Sequence, residues 1–384
     1  MRKLSMICSF VGFFVMTACS QESKPRPRTA PTPTLPTEQK FQLGDYLGKD
    51  VSLSKAVDDV FAQLDDTAIV AQLIMPAVGK YGQTQSTILK HLSQRIIGGV
   101  LMLNGTQNEF TQWIQQFDSL NRVKGNLPFL YSADAEPSLV NRKIAESALV
   151  KKASEINSQD EVISTAAQIS TILNSIGINY NFAPVVDVAG NATVGYRGFG
   201  SKPEQLIPWS NAFIQTTQNE GIIATAKHFP GHGLVKGDTH TSLQTLDGEL
   251  QEVKNYPPLI ANGVLSIMVA HIAVKNNAKY DTKGLPSTCS KAIVTDLLKN
   301  ELKFQGLIVT DAMNMGGVVN VPQCASKAVA AGCDIVLMPV DASQAHAELL
   351  RAYRSDEAFK QRVTEAAKKV IRMKICLGLL NHEK

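Results

Sequence analysis

None of the apolar runs in this 384-residue chain is followed by a glycine-rich dinucleotide fingerprint. That absence argues against a nucleotide cofactor on an α/β sheet. No run of Lys or Arg is interleaved with aromatics, so nucleic acid is not an expected partner. The histidines lack the compact spacing of a metal site. His228, His232 and His240 are spread along a loop and the nearest Cys is Cys289, so no metal is expected and no cofactor is implied. Cysteine is sparse, with six residues. Cys8 falls in the N-terminal targeting segment and Cys19 at its end. Cys289, Cys324, Cys333 and Cys376 remain, and four allow three connectivities between which a sequence does not choose.

What is present is an ordinary soluble composition, 44% hydrophobic and 19% charged, enough for one large domain or two small ones. Arg2 and Lys3 precede an apolar stretch, Leu4 to Met16, that is too short to span a bilayer as a helix. Met16-Thr17-Ala18-Cys19 resembles a bacterial lipobox, which makes residues 1–18 a signal peptide and Cys19 the lipidated residue. The expected partner there is the membrane, reached through the N-terminal lipid. Ser20 is compatible with sorting to the outer membrane, facing the periplasm. A plain secretory signal is the alternative, and both place the protein outside the cytoplasm. Removing Arg2 and Lys3 takes two from the net charge of +4 and leaves +2. Lys24 to Thr37 carries five prolines without apolar periodicity, so residues 19–43 are expected to form an extended tether. Residues 44–384 then form the folded domain.

Within that domain strands and helices alternate. Strands are expected at Gly98 to Leu103, Leu127 to Asp134, Ile178 to Asp187, from Gly221, at Val264 to His271, Gly306 to Asp311 and Asp334 to Met338. Helices fall between them, among them Gln107 to Asn121, Ser138 to Ile156, Asp160 to Ile176, Pro203 to Glu220, Glu249 to Asn262 and Lys291 to Leu302. Thr67 to Met75 fits either a helix or a first strand. The strands are short and apolar on both faces, as buried parallel strands are. A repeated β-then-α order predicts an α/β fold, a (β/α)8 TIM-type barrel with a single catalytic domain, ahead of an open doubly wound sheet.

The stretch Ala226 to His240, AKHFPGHGLVKGDTH, places a cation, three imidazoles and a carboxylate within fourteen residues counted from Lys227. It follows an apolar strand, Pro230 ends that strand, and Gly231, Gly233 and Gly237 loosen the loop. Taken singly, these residues suit a structural ion pair or a solvated loop. As a set they point to acid/base chemistry, because Asp238 lies two residues from His240 and can fix its tautomer and raise its basicity. The other expected strands also end in polar residues: Asn104, Asp134 with Glu136, Asp187, His271 and Asp311. Convergence of such ends on one mouth is how barrel enzymes assemble a site.

Four segments together resemble family 3 glycoside hydrolases, and within them the NagZ-type bacterial β-N-acetylhexosaminidases. They are KHFPGHG with its downstream Asp238-x-His240, NFAPVVDV from Asn181 to Val188, Tyr196-Arg197-Gly198-Phe199-Gly200, and VTDAMNM from Val309 to Met315. The resemblance runs from about Gly98 to the C-terminus. It implies that Asp311 is the catalytic nucleophile, His240 the general acid/base and Asp238 the carboxylate that orients it. It implies sugar-binding roles for Asp134, Arg142 and Arg197, and makes Lys227 and His228 the pair that holds the hydroxyls of N-acetylglucosamine. Retaining hydrolysis needs a carboxylate beneath the anomeric carbon and a proton donor over the leaving oxygen. An imidazole, with its unperturbed pKa of ~6.5, suits that second task at neutral pH. Larger members of the family take the acid/base from a second domain. This chain stops at Lys384 after a helix that closes the barrel, so the group is expected to come from the barrel itself.

One departure stands out. The family's D-x-E-G-G becomes Asp134-Ala135-Glu136-Pro137-Ser138, which changes the backbone beside Asp134 and Arg142. The expected activity is retaining hydrolysis of terminal β-N-acetylglucosamine from peptidoglycan fragments or chitooligosaccharides, by a monomer acting on a glycan substrate. Three alternatives stay open: a phosphorylase, since an imidazole does not repel phosphate, a β-glucosidase, and a non-catalytic wall-binding lipoprotein.

Overall fold

The structure is a computed structural model that describes residues 40–380. The signal segment, Cys19 and nearly all of the proline-rich tether lie outside the described residues. The folded domain begins before residue 44, because Phe41 and Leu43 are already buried.

The apolar runs form eight parallel barrel strands. They are β1 (Ile74–Met75 and Ala77–Val78, either side of Pro76), β2 (Gly99–Met102), β3 (Leu130–Ala133), β4 (Tyr180–Asn181), β5 (Ile223–Phe229), β6 (Ser266–Val269), β7 (Leu307–Thr310) and β8 (Val336–Leu337). Strands β1 to β7 pair in sequence order, all in parallel. A Val309–Ile335 bridge joins β7 to β8. Ile74 and Met75 pair with Val336 and Leu337, which closes the ring. The ambiguous segment before Pro76 thus supplies both a helix, Asp66–Ala71, and the first strand.

Helices cover the ring: α1 (Gln85–Ser93), α2 (Gln107–Lys124), α3 (Gln159–Ile176), α4 (Pro203–Asn219), α5 (Tyr256–Ala261), α6 (Ala292–Glu301, wound as a π-helix), α7 (Cys324–Ala331), α8 (Ala342–Ser355) and α9 (Glu357–Cys376). Thr106 and Glu109 form a capping box at the start of α2, and Gly125 ends that helix in the left-handed conformation. Each strand alternates its side chains between two layers. Leu101, Leu130, Ile223, Leu307 and Val309 join the cluster inside the ring. Val100, Ile267, Ile308 and Val336 join the cluster beneath the helices. Each such buried aliphatic contributes about 1.5–3 kcal/mol relative to exposure. The helix Val51–Phe61 and α9 share the inner cluster, and Arg372 of α9 donates to Tyr46 O at 2.7 Å. Cys289, Cys324 and Cys333 are free thiols.

Two expected elements differ. Ser138 to Ile156 is not a helix: it holds one short turn (Val140–Lys143), a two-residue strand (Ile144–Ala145) and a 3-10 turn (Ala153–Glu155). Asn141 explains this. Its Nδ2 donates to Ala148 O at 2.7 Å and its Oδ1 accepts from Val150 N at 2.9 Å, side-chain bonds that compete with a helical ladder. The strand expected over Ile178 to Asp187 shortens to Tyr180–Asn181, because Pro184 has no N–H for the ladder.

Candidate active site

The strand ends converge on one cavity of about 450 Å³. It is lined by all eight residues singled out above: Asp134, Arg142, Arg197, Lys227, His228, Asp238, His240 and Asp311. The register between β5 and β6 slips beside His228, and Lys227 and His228, though consecutive, both line the cavity.

A charge network buried at the cavity wall organises the site. Glu136 is wholly buried, and Arg197 grips it with two bonds, Nε to Oε2 at 2.8 Å and Nη2 to Oε1 at 2.6 Å. Lys227 Nζ lies 2.6 Å from Glu136 Oε1 and 2.9 Å from Asp134 Oδ1. Burial opposes ionisation of Glu136, but Arg197 and Lys227 outweigh it and bring its carboxyl down to about 2. Burial likewise works against the Lys227 ammonium, and Asp134 and Glu136 more than restore it. Arg197 therefore spends its fork on Glu136, and reaches a sugar only with what remains. Lys143 stands 3.8 Å from Asp134, whereas Arg142 is exposed and makes no ion pair among the described residues.

A second buried group lies beside the first. Asp187 Oδ2 lies 2.6 Å from His228 Nδ1, and Asp187 Oδ1 accepts from the His232 backbone at 2.8 Å. Burial would raise the Asp187 carboxyl, but His228 and these hydrogen bonds hold it below the usual range. An ionised Asp187 makes His228 Nδ1 the donor and leaves Nε2 for the cavity. Glu252 supports the loop after β5 from below. It accepts from Val188 N at 2.8 Å and from Leu234 N at 3.2 Å. Burial and the Asp187 charge push Glu252 up to about 8, which keeps it protonated at neutral pH. Gly231 and Gly233 are required there, since a Cβ at Gly231 would sit 2.4 Å from Glu252 Cβ.

The two candidate reacting groups differ in setting. Asp311 ends β7, its N–H donating to Val269 O at 2.9 Å and its Oδ1 accepting from Ala312 N at 2.8 Å. Burial would raise its carboxyl, yet His228, His271 and the Ala312 N–H keep it low and ionised. His240 is exposed on the loop, with Nδ1 2.6 Å from Asp238 Oδ1. Asp238 also accepts from the His240 N–H at 2.9 Å. These bonds outweigh burial and hold the Asp238 carboxyl below its ordinary value. The loop is fastened on two sides. His232 Nε2 lies 2.9 Å from Thr239 Oγ1, and Gly316 and Gly317 donate to the carbonyls of His240 and Thr239 at 2.9 and 3.0 Å. Gly316 has to be glycine, because a Cβ there would fall 2.2 Å from Thr241 O. An ionised, half-buried carboxylate sharing a cavity with an imidazole that has its own carboxylate can carry out nucleophilic displacement with proton transfer.

The "Glycosyl hydrolase family 3 N terminal domain" model matches residues 66–373. The chain belongs to glycosyl hydrolase family 3. Among its family 3 relatives, it is 30% identical over 279 residues to "Beta-hexosaminidase A" of Pseudoalteromonas piscicida, covering 65% of this chain and 47% of that protein. It is 28% identical to a "Beta-N-acetylglucosaminidase/beta-glucosidase" of Cellulomonas fimi, covering 74% of this chain and 53% of the other. Thus the chain spans about half the length of these curated relatives. A solved β-N-acetylhexosaminidase from Beutenbergia cavernae superposes with a TM-score of 0.72 at 26% identity, over 80% of this chain and 98% of that one.

Sequence reasoning left Glu136 and Asp187 as bare strand ends and His232 as one loop imidazole among three. The signal for Glu136 was an acidic residue beside an apolar strand with no counter-charge near it in sequence. Nothing in the sequence signalled Glu252. The Pro137-Ser138 departure has a structural use: Ser138 Oγ donates to Tyr196 O at 2.9 Å and accepts from Ala153 N at 3.1 Å, tying the Arg197 loop to the Asp134 loop. Glu136→Gln leaves Arg197 and Lys227 short of a buried counter-charge and is expected to cost about 3 kcal/mol in denaturant unfolding. The Glu136 carboxyl is depressed from 4.5 to about 2, so its stabilisation is complete above pH 4.5 and is lost as pH falls toward about 2. The variant should show a flatter stability profile across that window; an unchanged unfolding midpoint at pH 7 would contradict this account.

Proposed function

We propose that this chain is a retaining β-N-acetylglucosaminidase that removes terminal non-reducing N-acetylglucosamine from peptidoglycan fragments or chitooligosaccharides. The observation that carries the reading is the pairing, in one cavity, of a half-buried ionised Asp311 with a His240–Asp238 dyad on a loop. The names of the relatives supply the sugar.

The chemistry runs in two steps. Asp311 attacks the anomeric carbon as the bond to the leaving oxygen breaks, and His240 gives that oxygen its Nε2 proton. Asp238 stabilises the imidazolium before transfer and fixes the ring afterwards. In the second step neutral His240 takes a proton from water, which attacks the same carbon and frees Asp311. Lys227, Asp134 and His228 Nε2 bind hydroxyls on the far side of the ring and align it for attack. The resemblance of Met16 to Cys19 to a lipobox supports an activity outside the cytoplasm on a lipid-anchored protein, which we take to act as a monomer.

Protein lacking residues 1–37 is expected to release 4-nitrophenol from the β-N-acetylglucosaminide and not from the β-glucoside. Asp311→Ala should abolish release, and His240→Ala should lower it by about 10²- to 10⁴-fold. Release from the glucoside alone would overturn the sugar assignment, and sugar 1-phosphate formed on adding phosphate would make the chain a phosphorylase. Expressed with its N-terminus, the full chain should sediment with membranes and Cys19→Ser should not; equal sedimentation of the two would remove the lipid anchor.

A further inference from the structure

The residue between Asp238 and His240 anchors both. His240 is exposed and Asp238 half-buried, whereas Thr239 is 1% exposed. A displacement of the Thr239 side chain therefore carries both members of the dyad with it. Its hydroxyl has one partner among the described residues, His232 Nε2 at 2.9 Å. From beyond residues 238–242, the other bonds to Asp238, Thr239 and His240 come from backbone: Gly316 and Gly317 donate to the carbonyls of His240 and Thr239. His232 is thus the side chain that decides where Thr239 rests.

The state of that ring follows from its surroundings. It is buried at the cavity, its centre 5.7 Å from the ring centre of His228. Burial first, and His228 second, press its imidazole below the ordinary value against the opposing pull of Asp187 and Asp311, so the ring is neutral at neutral pH. A neutral imidazole has one N–H. His232 Nδ1 is buried without a hydrogen-bond partner. Buried N–H donors are left orphaned more rarely than acceptors, which assigns the proton to Nε2 and makes Thr239 Oγ1 the acceptor. The backbone of His232 is tied to the opposite wall. Its N–H donates to Asp187 Oδ1 at 2.8 Å, and Asp187 Oδ2 lies 2.6 Å from His228 Nδ1. One buried carboxylate thereby fixes both the His228 ring and the residue whose ring holds Thr239.

We infer that His232 is a positioning residue for the acid/base step: it holds Thr239, and through it the Asp238–His240 pair, where His240 Nε2 reaches the leaving oxygen. The inference rests on the retaining N-acetylglucosaminidase reading and adds to it a residue that transfers no proton itself. A misplacement of about 1 Å can cost about 10²-fold in rate. A misplaced proton donor slows only those substrates whose leaving oxygen needs the proton, whereas a general loss of structure slows all of them.

The test compares kcat/KM on two aryl β-N-acetylglucosaminides. The 2,4-dinitrophenyl glycoside releases its phenolate without a proton, and the 4-methoxyphenyl glycoside requires one. Thr239→Val removes the hydroxyl and nearly keeps the shape, Thr239→Ser keeps the hydroxyl, and His232→Leu removes the donor. Thr239→Val and His232→Leu are expected to lower the 4-methoxyphenyl rate by about 10- to 10²-fold and the 2,4-dinitrophenyl rate by less than about twofold. Thr239→Ser should stay near the parent on both. In His240→Ala protein, adding Thr239→Val should cost nothing more, since the two act through one group. Equal losses of Thr239→Val on both glycosides, a selective loss that Thr239→Ser shares, or a further loss in His240→Ala protein would overturn the inference and leave the N-acetylglucosaminidase reading in place. If His240→Ala itself slows the two glycosides equally, or the parent cleaves neither, the reading falls and the inference with it.

Discussion

A single carboxylate with no exposure to water, Glu136, sets the terms for the rest of the site. Burying such a charge is costly, and the structure meets that cost with two cations drawn from different parts of the ring: Lys227 from β5 and Arg197 from the segment after β4. The network does more to fix geometry than to raise stability, since a buried ion pair rarely outperforms well-packed apolar residues. What it fixes is useful. Lys227 is held between Glu136 and Asp134, His228 beside it is turned by Asp187, and the polar wall is in place before any sugar arrives.

Rigidity is distributed unevenly across the cavity. Asp311 is half-buried, and its backbone belongs to the barrel ladder. His240 is exposed on a glycine-bearing loop, yet that loop is latched to the Asp311 segment through Gly316 and Gly317 and to buried His232 through Thr239. Asp311 is thereby held still while His240 keeps access to solvent, which suits the proposed roles of nucleophile and of a group that gives a proton and later takes one from water. Proximity of the two loops is possible because Gly316 lacks a side chain at their contact.

Much of this was legible in the residues. Apolar runs ending in Asp or Lys-His announced β5 and β7, and the alternation of strand and helix announced the closed ring. The roles that remained hidden depend on contacts distant in sequence. Arg197 looks like a sugar ligand until Glu136, sixty-one residues away, takes its fork. The segment after Ser138 has apolar spacing that suits a helix, and only the side-chain bonds of Asn141 with Ala148 and Val150 show why it forms a loop. Glu252 belongs to a helical stretch whose pattern carries no sign that its carboxyl caps the loop after β5.

The account turns on Asp311 forming a covalent bond with the sugar. Protein incubated with a 5-fluoro-N-acetylglucosaminyl fluoride, then digested and examined by mass spectrometry, measures this directly. The predicted result is one fluorinated N-acetylhexosaminyl group on the peptide that contains Asp311. An adduct on another residue, or none on protein that turns over the N-acetylglucosaminide, would contradict it.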